Sequence, residues 1–232
     1  MNIHYTLSFT APHTHYTNVT INISEINQEE LVLKMPVWTP GSYLIREYSQ
    51  HVDLFSANNN NGEVISFEKV TKNKWVVETK GLSEIQVKYR FYSYEATVRT
   101  NFVDASKTAL CGAATFIYVE GQESTPSTIQ FEPHPTWKNI ATPLKKVNGD
   151  EWLRKSDNLD QLVDSPIEIG NFETYHFKAA GITHNVAIVG ESNGDNQKFI
   201  KDLENVCNVA AAIFKDKHPC EEYLFLSLIH IS

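Results

Sequence analysis

Hydrophobic and polar residues alternate through most of the first two-thirds of the chain. Every second residue is apolar in several short stretches, around residues 3–9, 19–23, 31–35, 64–70, 75–79 and 85–91. Such alternation gives a strand one apolar and one polar face, as in antiparallel sheets with one face in water. Short strands at this close spacing predict an N-terminal antiparallel β-sandwich.

A specialised turn follows the third of these strands, within residues 35–48. Pro40 and Gly41 occupy the central positions of a predicted type II turn, because glycine tolerates the positive φ that the second position requires. The reversal would let Trp38 and Tyr43 face each other. Arg46 follows close by and could offer its planar guanidinium to a carboxylate. By composition alone, this segment is a structural corner.

Two further segments of the sandwich carry unusual residues. Residues 110–120 change from small to apolar, which predicts one buried strand with a close neighbour at Gly112. A second strand is predicted at 166–169, where Pro166 takes the first position and Asp164 caps the preceding turn. Glu168 would point away from its apolar neighbours, and if it is buried it needs a partner such as Arg46.

The pattern changes after residue 171. Residues 175–180 and 184–189 predict a hairpin that turns at Gly181, and residues 223–226 predict another strand. Between them, a helix is predicted to begin near residues 193–195 and to end at Pro219. Its apolar residues recur at helical spacing and predict one buried face: Phe199, Leu203, Val206, Ala210 and Ile213. These elements have no second layer, so 172–225 is expected to be the truncated start of a second domain.

Charge and cysteine usage narrow the possible partners. The formal net charge of -8 and the pI near 5.6 disfavour nucleic acid and anionic membranes as partners. Cys111, Cys207 and Cys220 are odd in number and far apart, which predicts reduced structural thiols. The chain opens on a strand pattern and shows neither a signal peptide nor an apolar stretch of membrane-spanning length, so a cytoplasmic protein is expected.

Motif searches find no catalytic constellation. The chain contains no HExxH, GxSxG, Walker A or GxGxxG sequence. His13 and His15 could present two imidazoles on one strand face, although no third metal ligand is identifiable. His176 and His184 could meet across the Gly181 hairpin. A solvated strand edge is the favoured explanation of the first pair, and satisfied structural histidines are the favoured explanation of the second.

Residues 35–46, 162–170 and 214–225, in this order, make the chain resemble the PDZ-containing glycyl-aminopeptidase family of zinc metallopeptidases, relatives of thermolysin. The resemblance implies an N-terminal sandwich domain (1–171), the start of a thermolysin-like α+β catalytic domain (172–225) and, in the full-length parent, a PDZ domain, bound zinc and a peptide substrate. The motif residues would be structural rather than catalytic: Trp38, Pro40, Gly41, Tyr43, Arg46, Asp164, Pro166, Glu168 and Gly170.

In this family the zinc is held by HExxH and a downstream glutamate, and the glutamate within the motif acts as general base. None of these groups occurs in the 232 residues, so the resemblance assigns no catalytic or metal-binding residue, no cofactor and no substrate-binding position to this chain. The chain alone is therefore expected to be inactive, as an N-terminal fragment that supports a catalytic domain and its substrate cleft.

The final residues, 226–232, resemble the in-frame translation of a transposon-end sequencing adapter and are expected to be a non-native tail. Two alternatives to the fragment stay open at this point. One is a stand-alone sandwich that binds a peptide or a glycan, and the other is a degenerate, non-catalytic regulator. The downstream reading frame would separate these three interpretations. An HExxH sequence there would support the fragment, and an immediate stop codon would support one of the two alternatives.

Overall fold

A computed structural model describes residues 1–39, 41–191, 193–215 and 220–229. The chain divides into two compact units. The first contains Met1–Ile140 and Leu144–Gly170, and the second contains Ala141–Pro143 and the residues from 171 onward.

The strands up to Gly170 are short and closely spaced along the chain. They are β1 (Asn2–Ser8), β2 (Tyr16–Ser24), β3 (Glu30–Lys34), β4 (Val52–Asn58), β5 (Phe67–Thr71), β6 (Lys74–Glu78), β7 (Glu84–Tyr92), β8 (Phe102–Val103), β9 (Lys107–Leu110), β10 (Tyr118–Val119), β11 (Ser127–Glu132), β12 (Asn139–Ala141), β13 (Lys145–Val147), β14 (Asp150–Ser156) and β15 (Ile167–Gly170). One helix, α1 (Leu159–Asp164), precedes β15.

The largest sheet has seven strands in the order β13-β14-β11-β1-β2-β7-β4. Its pairs are antiparallel except for β1 and β11, which run parallel. The predicted alternation is observed, since the inner-facing residues are all buried: Ile3, Tyr5, Leu7, Val19, Ile21, Ile23, Ile85, Val87, Tyr89, Phe91, Ile129 and Phe131. The side chains between them face outward and are mostly polar. The predicted mainly-β fold with an N-terminal sandwich is thus confirmed.

Two four-stranded sheets, β10-β3-β6-β5 and β12-β15-β9-β8, add their apolar residues to the same core. Phe55 of the large sheet stacks on Trp75 of β6 with ring centroids 5.0 Å apart. Tyr5 donates its hydroxyl to the carbonyl of Ile117 at 3.0 Å. Tyr89 donates to Thr115 O at 2.7 Å and accepts from the Ile117 amide at 3.1 Å. Both tyrosine hydroxyls satisfy buried backbone groups that no strand partner reaches.

The single buried strand predicted at 110–120 is wrong. The chain instead forms the end of β9, a 3-10 turn at Gly112–Ala114 and the two-residue strand β10. The close neighbour predicted at Gly112 is present, because a Cβ built there would lie 2.3 Å from the carbonyl oxygen of Leu162. The approach of α1 therefore occupies the space that a continuous strand with side chains would need.

The second unit contains β16 (Glu173–Ala179), β17 (Ile182–Val189), the helix α2 (Asn196–Ile213) and β18 (Glu222–Leu228). Strands β16 and β17 form the predicted hairpin through a two-residue turn, in which Ala180 has φ 47° and Gly181 has φ 90°. Strand β18 pairs parallel to β17, so α2 serves as the connection that parallel strands require. The predicted order of hairpin, helix and strand is confirmed.

Helix α2 begins where the caps predict. The side chain of Asp195 accepts a hydrogen bond from the Lys198 amide at 3.0 Å. The helix ends at Ile213, before the predicted stop at Pro219, which lies outside the described residues. No helix among the described residues is long and apolar enough to cross a membrane.

The predicted buried face of α2 is wrong except at Leu203. Ile200, Leu203 and Cys207 pack against the small core around Phe177, and Ala211 is buried. The remaining predicted core positions are exposed: Phe199, Val206, Ala210 and Ile213. Apolar residues surround so much of the helix that spacing alone cannot select the packed side.

Candidate functional site

The corner at residues 38–46 contains the features of the predicted turn. The amide of Ser42 donates to the carbonyl of Thr39 at 3.0 Å, and Gly41 has φ 81°. These two features fit a type II turn, although Pro40 lies outside the described residues. The indole of Trp38 donates to Ser42 O at 2.5 Å, which closes the corner from its other side.

The predicted contact between Trp38 and Tyr43 is absent. The side chain of Tyr43 is fully exposed at 103% and makes no ring contact with any described residue. Trp38 is directed back toward the turn by its bond to Ser42 O, because an indole N–H in a half-buried setting needs an acceptor. The fully exposed phenol of Tyr43 is available to solvent or to a partner.

Arg46 closes the base of the corner through its backbone, and its amide donates to Val37 O at 2.7 Å. Its side chain is half-buried, and its Nε is buried without a hydrogen-bond partner. Tyr48, two residues later, is buried, and its 3-10 turn packs against Gly112–Ala114. Burial raises the pKa of Tyr48, as does the neighbouring Cys111 thiol, whereas Arg46 and Arg99 oppose the rise.

Glu168 lies on β15 and is 2% exposed. Its ion-pair partner is Lys107, at 3.7 Å from Oε1 to Nζ, so the predicted pairing with Arg46 is wrong. Burial raises the pKa of Glu168 to about 7, because desolvation outweighs the attraction of Lys107. Strand β15 thus carries a carboxyl group that changes its protonation state near neutral pH.

The register of β15 and β9 explains both the ion pair and the presence of glycine at position 170. Gly170 lies opposite Lys107, and Glu168 lies opposite Ala109, so all four positions share one sheet face. A Cβ built on Gly170 would lie 2.9 Å from Cβ of Lys107. A side chain at Gly170 would therefore displace Lys107 from Glu168.

The segment before β15 differs from its prediction. Asp164 is the exposed last residue of α1, and its carboxylate makes no hydrogen bond with any described residue, so it does not cap the turn. Ser165 does so instead, because its hydroxyl donates to Gln161 O at 2.6 Å. Pro166 is exposed and precedes β15, which begins one residue later than predicted.

The two histidine pairs do not form metal sites. His13 belongs to a 3-10 turn and His15 has a φ of 63°, so they do not share a strand face. In the hairpin, His184 lies opposite Phe177, whereas His176 lies opposite Asn185 and so points to the other face. Within the described residues, no group of three or more His, Cys, Asp or Glu side chains could hold a metal ion. The zinc that the resemblance implies belongs to an HExxH sequence, which these 232 residues do not contain.

An aromatic surface cluster was not predicted, because its members come from three separate segments. His15 packs on Tyr94 with ring centroids 3.9 Å apart, and Tyr94 stacks on Phe102 at 5.7 Å. Tyr16 packs against Tyr92 at 5.4 Å. The excess of aromatic residues around 89–94 is the one signal in the sequence that could have suggested it.

The sequence profile of the Peptidase M61 N-terminal domain matches residues 4–171. The chain belongs to the M61 peptidase family. The match ends directly after Gly170, the last residue of β15. A sequence comparison with curated proteins finds no match.

Solved structures are similar to the chain along nearly its whole length. An aminopeptidase N family protein from Idiomarina loihiensis is 29% identical with a TM-score of 0.91, and the match covers 98% of this chain and 39% of that protein. An M1 zinc metallopeptidase from Deinococcus radiodurans is 11% identical with a TM-score of 0.53 over 97% of this chain and 56% of that one. Native yeast LTA4 hydrolase is 11% identical with a TM-score of 0.54, and the match covers 98% of this chain and 37% of that enzyme.

The last two likenesses show the fold alone. The family profile and the Idiomarina loihiensis structure confirm the predicted relation to aminopeptidases. The predicted PDZ domain and the thermolysin-like clan stay predictions. The chain spans less than two-thirds of the length of each of these relatives.

Proposed function

We propose that this chain is the N-terminal part of a longer zinc-dependent aminopeptidase. In this proposal, residues 1–171 form the domain that supports the catalytic domain and its substrate cleft, and residues 172–225 begin the catalytic domain. The supporting observation is that the chain matches the Idiomarina loihiensis aminopeptidase N family protein along 98% of its own length but along only 39% of that protein.

The second unit supports the proposal through its unfinished packing. Its core consists of one face of α2 and three strands. The other face of α2 leaves large apolar side chains in solvent, namely Phe199, Val206, Val209 and Ile213, and Phe214 directly after the helix is exposed as well. A contiguous apolar stripe on a soluble helix marks a surface that another part of a protein covers. The remainder of the catalytic domain is the occupant that we propose for it.

The proposal includes the finer features implied by the resemblance. The full-length parent would bind one zinc through HExxH and a downstream glutamate, carry a PDZ domain, act on peptides and reside in the cytoplasm. The 232-residue chain alone would hydrolyse no aminoacyl substrate, because the groups that hold the zinc are not among its residues.

The decisive experiment reads the genomic sequence beyond codon 225 with a library method that uses no transposon adapter. We expect the frame to depart from residues 226–232 and to encode HExxH soon afterwards. The longer protein should then bind one zinc per chain and hydrolyse aminoacyl-arylamide substrates, whereas the 232-residue chain should not. A genuine stop codon after Ser232 would contradict the proposal.

Paired substitutions on α2 test the proposed covering of its exposed face. Val206→Asp should leave the unfolding free energy of the 232-residue chain within about 0.5 kcal/mol, because the side chain is already in water. In the longer protein, it should lower stability by about 2 kcal/mol or more through burial of a charge. Leu203→Ala, on the packed face, should destabilise both proteins. Equal effects of Val206→Asp in both proteins would contradict the covering.

One observation favours a second function, the binding of a polar ligand by the sandwich itself. The outer face of the large sheet contains an open depression of about 600 Å³. Its lining is rich in amides and other polar groups, including Asn2, His4, Asn22, Asn60, Gln86 and Lys88. A glycan array probed with the 232-residue chain tests this function, and binding lost in Gln86→Leu would favour it.

A further inference from the structure

The sequence contains four arginines, and two of them have carboxylate partners. Arg90 binds Asp53 through two nitrogens, at 2.5 Å from Nε and 3.0 Å from Nη2. Arg154 binds Glu151 at 3.0 Å. Both follow the usual rule that a guanidinium in a partly buried position is paired with an acid.

The other two arginines, Arg46 and Arg99, form no ion pair with any described residue. Arg46 is the more unusual, because its Nε is buried and makes no hydrogen bond. Arg154 also has a buried, unbonded Nε, but the same guanidinium is neutralised by Glu151. A buried donor on an unpaired cation is costly unless a further acceptor is bound there.

Arg46 and Arg99 come from distant segments that the fold brings together around Tyr48. The turn Tyr48–His51 packs against Gly112–Ala114. Asn101 holds the loop that carries Arg99 against the same segment, since its side chain donates to Ala114 O at 2.9 Å and accepts from the Cys111 amide at 2.8 Å. Burial raises the pKa of Tyr48, and both arginines oppose that rise.

Nearby acids do not neutralise this cluster. Glu47 is engaged by Lys72 at 3.2 Å. Asp164 is close enough to act on the Cys111 thiol, yet it forms no ion pair with either arginine. Among the described residues, the cluster therefore presents two cations and a phenol hydroxyl without a paired anion, in a protein whose net charge is -8.

We infer that Arg46, Arg99 and the Tyr48 hydroxyl form a binding site for a carboxylate, namely the C-terminal carboxylate of a short peptide. A planar carboxylate matches the fork of a guanidinium and can accept from the buried Nε of Arg46. Its single charge suits an acidic protein better than a multiply charged phosphate does. The site rests on the geometry, whereas the choice of a peptide as the ligand rests on the proposed function.

The test is a titration of the ¹⁵N-labelled 232-residue chain, observed at the Nε–Hε resonances of its four arginines. Acetate tests the site, and triglycine against triglycinamide tests the assignment to a peptide terminus. We expect acetate and triglycine to shift the Arg46 resonance with a Kd of about 1 mM, and triglycinamide to leave it in place. The Arg90 resonance is the internal control, because Asp53 already occupies that guanidinium.

Two variants locate the binding. Arg99→Gln changes an exposed loop residue and should weaken acetate binding about tenfold through the loss of one charge-assisted contact. Arg46→Lys keeps the charge but loses the fork, and should weaken it at least as much. Arg90→Lys, the matched control, should have no effect.

An unmoved Arg46 resonance in acetate would overturn the site. Equal shifts in sodium chloride of the same ionic strength, or stronger binding of inorganic phosphate, would overturn its assignment to a carboxylate. Binding of acetate without binding of triglycine would overturn the peptide assignment alone and leave the site established. Failure of the longer protein to act as a peptidase would not change the result with acetate.

Discussion

Replacing Glu168 by glutamine should remove a pH-dependent loss of stability from the sandwich. The carboxyl is 2% exposed, and burial raises its pKa from 4.5 to about 7. The folded state therefore favours the protonated form. At pH values below the pKa that Glu168 has in the unfolded chain, the residue does not lower the free energy of unfolding. The loss of stability grows as the pH rises toward the pKa of the folded state, and it is complete above that pKa.

The size of the effect follows from the shift. At 1.36 kcal/mol per pKa unit, ionised Glu168 lowers the free energy of unfolding by about 3 kcal/mol. About 2.5 kcal/mol of this loss falls between about pH 5 and pH 8. The free energy of unfolding of Glu168→Gln, minus that of the unmodified chain, should increase by this amount over the same interval.

Urea unfolding followed by tryptophan fluorescence measures this difference. All four tryptophans lie before residue 171, so the signal reports the unit that contains Glu168. Glu120→Gln is the control, because Lys34 and Lys74 lower the pKa of Glu120 and its contribution is already constant above about pH 5. A Glu168→Gln difference that stays within about 1 kcal/mol across the interval would refute the reasoning.

Three further outcomes follow from contacts in the sandwich, each measured by urea unfolding. Gly112→Ala should destabilise the chain by about 3 kcal/mol, because the new Cβ would meet Leu162 O. Gly121→Ala, with open space around the new Cβ, should destabilise it by about 1 kcal/mol. Equal losses of stability would contradict the close approach at Gly112. Tyr89→Phe should cost about 2 kcal/mol, twice the cost of Tyr5→Phe, since it loses two buried hydrogen bonds rather than one; the reverse order would count against this account. Gly170→Ala should lower the stability at about pH 8 more than at about pH 5, because it displaces Lys107 from a carboxylate that is ionised only at the higher pH; a loss that is independent of pH would exclude this role of the ion pair.

Local features of the sequence were sufficient for much of the fold. Alternation identified β1, β2 and β7 of the large sheet, and the Gly181 turn and the Asp195 cap placed the hairpin and the helix. The corner at Gly41 was predicted because glycine adopts a positive φ readily, and this preference belongs to the residue itself. Such features depend on neighbours along the chain, so they can be read without knowledge of the tertiary structure.

The candidate site was only partly predictable. The motif segments were recognised, and Glu168 was expected to need a partner if buried. Its actual partner, Lys107, lies far away in sequence and is fixed by the register of β9 against β15. The convergence of Arg46 and Arg99 depends likewise on where Asn101 attaches its loop. No local pattern records a register or a loop attachment.

The sequence by itself therefore determined the β-sandwich, the corner, the hairpin with its following helix and the membership of a peptidase family. Only the tertiary structure decided which face of α2 is packed, that a 3-10 turn at Gly112–Ala114 interrupts the predicted strand, and which charges remain unpaired. The physical reason is that periodicity and backbone preference act over a few residues, whereas packing and ion pairing depend on groups that folding brings together.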